Sequence, residues 1–233
     1  MTEKIPLLLL PGLLCDPLLW AHQTEHLSDI CDITVADLTR HDSVVDMAAS
    51  AIRGMPENFA LAGLSMGGYC AQEVMRQAGD RVTRLALLDT SARADSEEQT
   101  RRRRGLISLA KTGKFKGVTP KLLPLLLHPD RLEDDALTSK VMQMSENVGR
   151  DAFFQQQTAI MNRPDGLPDL AKITCPTLVL CGRQDALTGV DLHEEMAAGI
   201  TGSKLVVVEN CGHLSTMEQP EAVTAVMRYW LQD

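Results

Sequence analysis

Residues 59–68 constrain the fold of this chain more than any other stretch. The run 59–64 is apolar throughout, which is typical of a strand buried on both faces of a parallel sheet. The following residues, 66–78, have the pattern of a helix, and Ser65 stands at the junction between Gly63 and Gly67. A strand that passes into a helix through G-x-S-x-G is the arrangement of a nucleophile elbow. A tight glycine turn with an incidental serine stays the alternative until a matching histidine and acid are found.

Short apolar segments alternate with helical segments on both sides of this turn. Strands are predicted at residues 5–10, 33–36, 59–64 and 82–88, and helices at about 17–26, 44–53 and 66–78. Asp16 is a plausible N-cap for the first helix, and Asp42 or Ser43 for the second. Strands and helices that alternate with short loops predict a doubly wound parallel sheet with right-handed crossovers. In such sheets the functional residues gather at the carboxyl ends of the strands.

The alternation stops between about residues 93 and 168, where no buried strand is predicted. Helices are expected there over about 96–112, 121–127, 133–147 and 151–162. Strands resume at 177–181 and 204–208, and a last helix follows Pro220. We therefore expect a core domain formed by residues 1–92 and 169–233, with residues 93–168 inserted as a helical unit.

Composition excludes several classes of function. The formal net charge is −8, which argues against general nucleic-acid binding and against a basic membrane-surface role. No apolar stretch approaches the roughly 20 residues of a membrane span, so no membrane partner is expected. The six cysteines show no C-x-x-C pair and no spacing typical of a zinc site. A reduced, cytoplasmic setting is therefore the expected one.

Two segments after the insertion supply the missing chemistry. Asp185 lies on the loop that follows strand 177–181, and His213 lies on the loop that follows strand 204–208. A serine hydroxyl is a poor nucleophile at neutral pH, so a histidine must accept its proton, and an acid must orient that histidine. We predict Ser65, His213 and Asp185 as these three catalytic groups. Asp89 also ends a strand and is the competing acid, although bonding to loop backbone is its expected role.

Two backbone N–H groups are predicted to form an oxyanion hole. Met66 directly follows the candidate nucleophile, at the start of a helix whose first N–H groups have no acceptor within the helix. Leu13 follows Pro11-Gly12 on the loop after the first strand, where the second donor is expected. Both groups can stabilise a developing negative charge on a carbonyl oxygen.

Four segments in order carry a family resemblance: LLLLPG at residues 7–12, GLSMGG at 63–68, PTLVLCGRQD at 176–185, and the Gly212-His213 pair followed by Glu218-Gln-Pro220. The whole chain resembles the α/β-hydrolase superfamily, in the small capped branch that includes carboxylesterases and pimeloyl-carrier methyl esterases. The resemblance implies that residues 93–168 form a cap, or lid, over the site.

The chain departs from the family pattern in two places. Most members carry His-Gly at the oxyanion loop, whereas Leu10 and Pro11 precede Gly12 here. The family also has a β-hairpin before the strand that corresponds to residues 5–10, and only four residues precede that strand in this sequence. A sheet of about six parallel strands without the N-terminal hairpin is therefore expected.

The identity of the nucleophile narrows the reaction. Relatives that act as haloalkane dehalogenases or epoxide hydrolases use an aspartate at the elbow, so Ser65 makes those reactions unsuitable here. A serine esterase that forms an acyl-enzyme is expected, with no metal and no organic cofactor. Its substrate would be a small or medium ester with a mainly apolar acyl or alcohol part. A thioesterase for acyl-carrier substrates and a C–C bond hydrolase are alternatives, and a ligand-binding receptor or pseudo-enzyme is the alternative of another class.

Four consecutive arginines, Arg101 to Arg104, stand out in an acidic chain. Consecutive residues point around a helix, so all four cannot face one partner. A solvated helix with ion pairs to Glu97 and Glu98 is the expected arrangement, and a docking patch for an anionic acyl carrier is the alternative. The histidines other than His213 are expected at the surface, although His128 lies in the insertion and can line a pocket.

Overall fold

The fold is organised around one parallel sheet, described by a computed structural model for residues 4–113 and 115–233. Its six strands are β1 (Ile5–Leu10), β2 (Cys31–Val35), β3 (Phe59–Leu64), β4 (Val82–Leu88), β5 (Thr177–Gly182) and β6 (Lys204–Val208). Their order is β2-β1-β3-β4-β5-β6, and every neighbouring pair is parallel. The predicted fold class is confirmed, including the number of strands and the absence of an antiparallel strand from the described sheet.

Helices connect the strands and cover both faces of the sheet. They are α1 (Ala21–His26), α2 (Val44–Ala51), α3 (Met66–Ala78), α4 (Glu97–Thr112), α5 (Leu123–Leu126), α6 (Asp135–Met161), α7 (Val190–Gly199), α8 (Ser215–Glu218) and α9 (Pro220–Gln232). A 3-10 turn at Pro17–Trp20 precedes α1, and Asp16 accepts the hydrogen bond of its N-cap. Of the two N-cap candidates for α2, Ser43 is the one that accepts from the backbone N–H of Asp46.

The sequence analysis missed α7 and α8. A helix between β5 and β6 is required, because parallel neighbours need a crossover connection. The pattern in α7 is weak, since its buried face consists of His193, Met196 and the adjoining Ile200, at the spacing i, i+3, i+7. Because His193 is polar, the buried face of α7 lacks the continuous apolar stripe that predicts an amphipathic helix. The short α8 spans a single turn after the histidine loop.

Alternation along the strands divides the interior into two apolar cores. Leu7 and Leu9 of β1 point into one core, with Trp20 and Trp230, while Leu8 and Leu10 point into the other, with Phe59. All six residues of β3 are buried, as its uninterrupted apolar sequence predicts. Both faces of β3 are therefore covered up to its carboxyl end, and this edge of the sheet carries the site.

The helical insertion between β4 and β5 contains α4, α5 and α6. Gly149 adopts φ 78°, ψ 179° and breaks α6 into two helical segments, which agrees with the two helices predicted over 133–147 and 151–162. Side chains of the insertion belong to both cores, among them Leu137 and Met144 on one side and Ile160 on the other. Within the described residues, no helix combines the length and the apolar character needed to cross a membrane.

Candidate active site

Ser65 lies at the abrupt turn between β3 and α3. Its backbone has φ 55° and ψ −116°, a conformation that a residue with a side chain adopts only under strain. The surrounding structure holds it there, because the Ser65 N–H donates to the Leu88 carbonyl at 3.0 Å and the Thr90 hydroxyl donates to the Ser65 carbonyl at 2.8 Å. The end of β4 thus fixes the turn from both sides.

The glycines around Ser65 are required by close backbone approach. A Cβ atom on Gly63 would overlap the Gly67 carbonyl, and a Cβ on Gly67 would overlap the Leu10 carbonyl at the end of β1. Gly12 is less constrained, since a Cβ there would make an ordinary contact of 3.4 Å with the Ser65 Cβ. The loop after β1 and the elbow therefore pack directly against each other, as an oxyanion site requires.

The structure brings Ser65, His213 and Asp185 together in one chain of hydrogen bonds. Ser65 Oγ lies 2.9 Å from His213 Nε2, and His213 Nδ1 lies 2.8 Å from Asp185 Oδ2. A carboxylate can only accept, so Nδ1 carries the proton and Nε2 is the acceptor that faces the serine. His213 and Asp185 are buried, at 3% and 7% exposure, whereas Ser65 is partly exposed. This geometry allows the serine proton to move to the imidazole.

Asp185 is held by its own loop. Its Oδ1 accepts from the backbone N–H groups of Leu187 and Thr188 at 2.8 and 2.9 Å, and its Oδ2 accepts from the Thr188 hydroxyl at 2.7 Å. Burial opposes its ionisation, yet the charge and hydrogen bond of His213 and these donors lower the pKa of Asp185 below its ordinary value. Asp185 is therefore an anion beside the imidazole.

The pKa of His213 shifts in the opposite direction to that of Asp185. Burial disfavours its charged form, but the charge and hydrogen bond of the adjacent Asp185 carboxylate outweigh burial, so the pKa of His213 is raised above its ordinary value. The imidazolium that forms when a serine proton is taken up is thereby stabilised.

Asp89 bonds loop backbone groups, as expected, and does not take the place of the acid. Its Oδ1 accepts from Gly182 N at 3.0 Å, while its Oδ2 accepts from both the backbone N–H and the hydroxyl of Ser215. Asp89 thus joins the loop that carries Asp185 to the loop that carries His213. Complete burial, together with the negative charge of Asp185, raises the pKa of Asp89 to about 8.

The backbone N–H groups of Leu13 and Met66 have no hydrogen-bond acceptor within the part of the chain that the structure describes. Met66 is the first residue of α3, where the N–H groups of a helix are left without partners. The neighbouring N–H of Leu14, by contrast, is occupied, because it donates to the side chain of Gln156 at 3.0 Å. The N–H groups of Leu13 and Met66 are thus free of partners within the described residues, as the predicted oxyanion donors must be.

Glu218 is a buried carboxylate that the sequence analysis used only as part of a motif. Its Oε1 accepts from Gly212 N and Leu214 N at 3.0 and 3.2 Å, on either side of His213, and its Oε2 accepts from His128 N at 2.6 Å. In addition, the backbone N–H of His213 donates to the Leu126 carbonyl at 3.0 Å. The histidine loop is therefore bonded directly to the helical insertion.

Two histidines expected at the surface are buried. His193 is fully buried on α7, where its Nε2 accepts from Thr90 N and its Nδ1 donates to the Gly189 carbonyl. Burial lowers the pKa of His193, which agrees with a neutral ring that bonds on both sides. His128 is 9% exposed, and its Nδ1 accepts from Asp130 N. Burial of His193 could have been inferred from the sequence, because a helix is expected between β5 and β6 and His193 lies on the same face of it as Met196.

The arginine run does not form the expected pairs with Glu97 and Glu98. Arg103 instead bonds the buried Asp95 at 2.6 Å, and Arg163 at the far end of the insertion bonds the same carboxylate. Arg101, Arg102 and Arg104 are exposed and have no ion pair within residues 4–113 and 115–233. Over the same residues, no group of three or more His, Cys, Asp and Glu side chains is placed to hold a metal ion.

The parallel sheet, the strained serine turn and the histidine and acid on later loops define an α/β protein of hydrolase type. The model of the alpha/beta hydrolase family matches residues 7–226, and the chain belongs to this family. The resemblance seen in the sequence motifs is thereby confirmed.

Three relatives illustrate the range of the family. A pimeloyl-[acyl-carrier protein] methyl ester esterase of Neisseria meningitidis serogroup A is 27% identical over 196 residues, which cover 81% of this chain and 62% of that protein. A 2-hydroxy-6-oxononadienedioate/2-hydroxy-6-oxononatrienedioate hydrolase of Pseudomonas putida is also 27% identical, over 80% of this chain and 69% of that one. The structure of a malate-bound thermophilic esterase from Thermogutta terrifontis is 31% identical, with a TM-score of 0.90, and the match covers 99% of this chain and 90% of that one.

Proposed function

We propose that this protein is a serine esterase that cleaves small or medium carboxylic esters through an acyl-enzyme intermediate. The observation that carries the proposal is the continuous hydrogen-bond chain from Ser65 Oγ through His213 to Asp185. In this proposal residues 93–168 are the cap above the site, and the protein works in a reduced, cytoplasmic setting in which its six cysteines stay free.

In the first half-reaction, Ser65 Oγ attacks the ester carbonyl carbon while its proton passes to His213 Nε2. The carbonyl oxygen becomes an oxyanion, which accepts hydrogen bonds from the N–H groups of Leu13 and Met66. When this intermediate collapses, the bond to the leaving oxygen breaks and His213 returns the proton to the alcohol. Asp185 keeps the imidazole in the required tautomer throughout.

In the second half-reaction, water attacks the acyl group on Ser65 and gives a proton to His213. The new tetrahedral intermediate uses the same two backbone donors. Its collapse releases the carboxylic acid, and the proton goes back to Ser65 Oγ. One water molecule is consumed for each ester that is cleaved.

Apolar side chains near the oxyanion loop support a mainly apolar substrate. Leu13 and Leu14 pack in one cluster with residues of the insertion, which are Leu106, Ile107, Ala110, Phe115, Val118, Val148, Phe153 and Phe154. An acyl or alcohol chain held here would lie beside the proposed oxyanion donors. Such lining is typical of sites for small organic ligands.

The direct test is reaction with a fluorophosphonate probe, which should label Ser65 in the native protein and fail to label Ser65→Ala. Hydrolysis of p-nitrophenyl esters from acetate to decanoate should disappear in the same variant and should identify the preferred chain length. Folded native protein that neither reacts with the probe nor turns over any ester would contradict the proposal. Slow turnover with tight retention of product would favour a receptor.

A thioesterase or esterase that accepts carrier-bound acyl groups is the second candidate. It is favoured by the similarity to the Neisseria carrier esterase and by the exposed, unpaired Arg101, Arg102 and Arg104. Replacing these three residues by alanine should slow turnover of a carrier-bound ester and leave p-nitrophenyl acetate turnover unchanged. Equal effects on both substrates would exclude docking by this patch. A C–C bond hydrolase, as in the Pseudomonas relative, would cleave a 1,5-dioxo compound faster than any ester.

A further inference from the structure

Gln156 is a buried polar residue of the insertion that the proposed reaction does not use. It lies on the second segment of α6 and is 1% exposed. Its amide makes two hydrogen bonds, both to backbone groups of the core. Oε1 accepts from Leu14 N at 3.0 Å, and Nε2 donates to the Leu38 carbonyl at 3.1 Å. Since a backbone N–H only donates and a carbonyl only accepts, these partners fix the orientation of the amide.

The residue that Gln156 holds is strained. Leu14 has φ 58°, in the left-handed region that residues with a side chain rarely adopt. Such a conformation persists only where the surroundings determine it. The loop is also closed by a turn from Cys15 N to the Gly12 carbonyl at 3.2 Å, and the Cys15 thiol donates to the Leu13 carbonyl at 3.5 Å. The Leu14 side chain packs with Ala110 and Phe153 of the insertion, and the Gln156 amide adds the directional bond that the insertion makes to the Leu14 backbone N–H.

The position of Leu14 matters because it adjoins the proposed oxyanion donor. The peptide planes that carry the N–H groups of Leu13 and Leu14 meet at the Leu13 Cα, so releasing the Leu14 N–H frees the Leu13 torsions that aim the Leu13 N–H. The start of the loop also lies against the elbow, since a Cβ on Gly67 would overlap the carbonyl groups of Leu10 and Pro11. An oxyanion donor displaced by a fraction of an ångström loses most of its value, since these bonds act only in the transition state.

We propose that Gln156 is a positioning residue for the oxyanion hole, through which the cap sets the orientation of the Leu13 N–H. The inference rests on the proposed serine hydrolase function. In this inference the insertion affects the reaction rate as well as substrate binding. It does so because the Gln156 amide on α6 orders the loop whose Leu13 N–H stabilises the oxyanion. Gln156 occupies Leu14 N, whereas Leu13 N has no acceptor within the described residues.

The neighbouring Gln157 provides a matched control. It is equally buried at 1% exposure, and its Oε1 accepts from Arg103 Nη1 at 2.9 Å within the insertion, away from the oxyanion loop. Gln156→Leu removes both hydrogen bonds to the core, while Gln157→Leu removes one buried amide of the same size without touching the loop. If Gln156→Leu does not fold, Gln156→Met offers an unbranched apolar side chain of similar length.

Two measurements test the inference. The first is hydrogen–deuterium exchange of peptides that contain Leu14, which needs no substrate. The second is the steady-state kinetics of p-nitrophenyl butyrate hydrolysis. For Gln156→Leu we expect faster exchange at Leu14 and a kcat lower by about 10-fold to 100-fold with little change in KM, since the transition state is affected and ground-state binding is not. Gln157→Leu should match the native protein in both measurements.

The outcomes separate this inference from the proposed function. Unchanged exchange at Leu14 in Gln156→Leu would overturn the inference whether or not the protein is an esterase. Faster exchange with a kcat equal to that of Gln157→Leu would overturn it as well. If native protein shows no Ser65-dependent turnover at all, the esterase proposal fails, and the oxyanion role of Gln156 fails with it even if the exchange result shows that Gln156 orders the loop.

Discussion

At the scale of single residues, the candidate site depends on opposite electrostatic effects on two neighbouring groups. Asp185 and His213 are both buried, and burial by itself would neutralise both. Their mutual contact reverses this, because it lowers the pKa of Asp185 and raises the pKa of His213. The neutral imidazole needed to accept a proton from Ser65 therefore predominates when the pH exceeds this raised pKa.

The raised pKa of His213 determines how kcat/KM should depend on pH. Protonated His213 cannot accept the serine proton, so kcat/KM should rise with pH and reach half its maximum above the ordinary histidine pKa of about 6.5. Asp185→Asn removes the negative charge that raises the pKa, so the rise should shift to lower pH, while kcat falls by about 10⁴-fold. The measurement is kcat/KM for a p-nitrophenyl ester between pH 5 and 9.

Asp191→Asn is the control for charge alone, since Asp191 is an exposed carboxylate on the nearby α7. Its profile should overlay that of the native protein. An acidic limb that stays in the same place in Asp185→Asn would show that His213 does not depend on Asp185.

At the scale of elements, the histidine loop is held between α8 and the insertion. The Glu218 carboxylate, 1% exposed, accepts three backbone N–H groups, two of them from the residues on either side of His213. Arg131 Nη1 of the insertion also donates to the Glu218 carbonyl at 2.5 Å. The insertion and the histidine loop therefore cannot separate at this point without breaking several buried bonds.

Glu218→Ala should weaken both stability and catalysis. Three buried N–H groups would lose their acceptor, which should reduce the free energy of unfolding by about 2–4 kcal/mol. The loop that carries His213 would lose its order, so kcat should fall more than KM changes. Urea unfolding and ester kinetics measure the two effects separately.

The comparison variant is Glu221→Ala, which removes an exposed carboxylate at the start of α9. It should remain close to native in both assays. If Glu218→Ala loses stability but keeps the native kcat, the carboxylate holds the fold without positioning His213.

At the scale of the whole molecule, the insertion and the sheet share their cores. Leu123, Leu127 and Val141 of the insertion lie in the same cluster as Leu7 and Leu9 of β1. At the other end, Asp95 and Arg163 form a buried ion pair at 2.5 Å across the two chain segments that join the insertion to the sheet. The insertion consequently packs into the interior of the sheet, in addition to the cluster around Phe153 that it forms with Leu13 and Leu14.

Thermal unfolding should therefore occur in one transition. Because side chains of the insertion pack in both cores of the sheet, the calorimetric enthalpy should equal the van't Hoff enthalpy, as for a single cooperative unit. Differential scanning calorimetry measures both. A first transition that leaves the near-UV signals of Trp20 and Trp230 unchanged would instead show that the insertion unfolds alone.

Much of this architecture was predictable from sequence. Strands β1, β3, β4 and β6 have the predicted bounds. Uninterrupted apolar runs mark β1 and β3 as strands buried on both faces, whereas β4 and the edge strand β6 each begin with a polar or exposed segment and keep a shorter apolar run. The topology rule then placed the residues after β3, β5 and β6 at one edge of the sheet, where Ser65, Asp185 and His213 lie in hydrogen-bond contact. The missed α7 shows the limit, since a buried histidine interrupts its apolar stripe.

The sequence by itself determined which residues reach the carboxyl edge of the sheet, because strand periodicity and crossover direction are local properties of the chain. Only the tertiary structure decided what holds those residues in place. Gln156 bonds Leu14 across 142 positions, Glu218 bonds His128 across 90, and Asp89 bonds Ser215 across 126. A buried amide or carboxylate has no periodic signature, and its partner is set by the packing of elements distant in sequence. The sequence is therefore sufficient to predict the elbow at Ser65, whereas the contacts that orient His213 and Asp185 exist only in the folded protein.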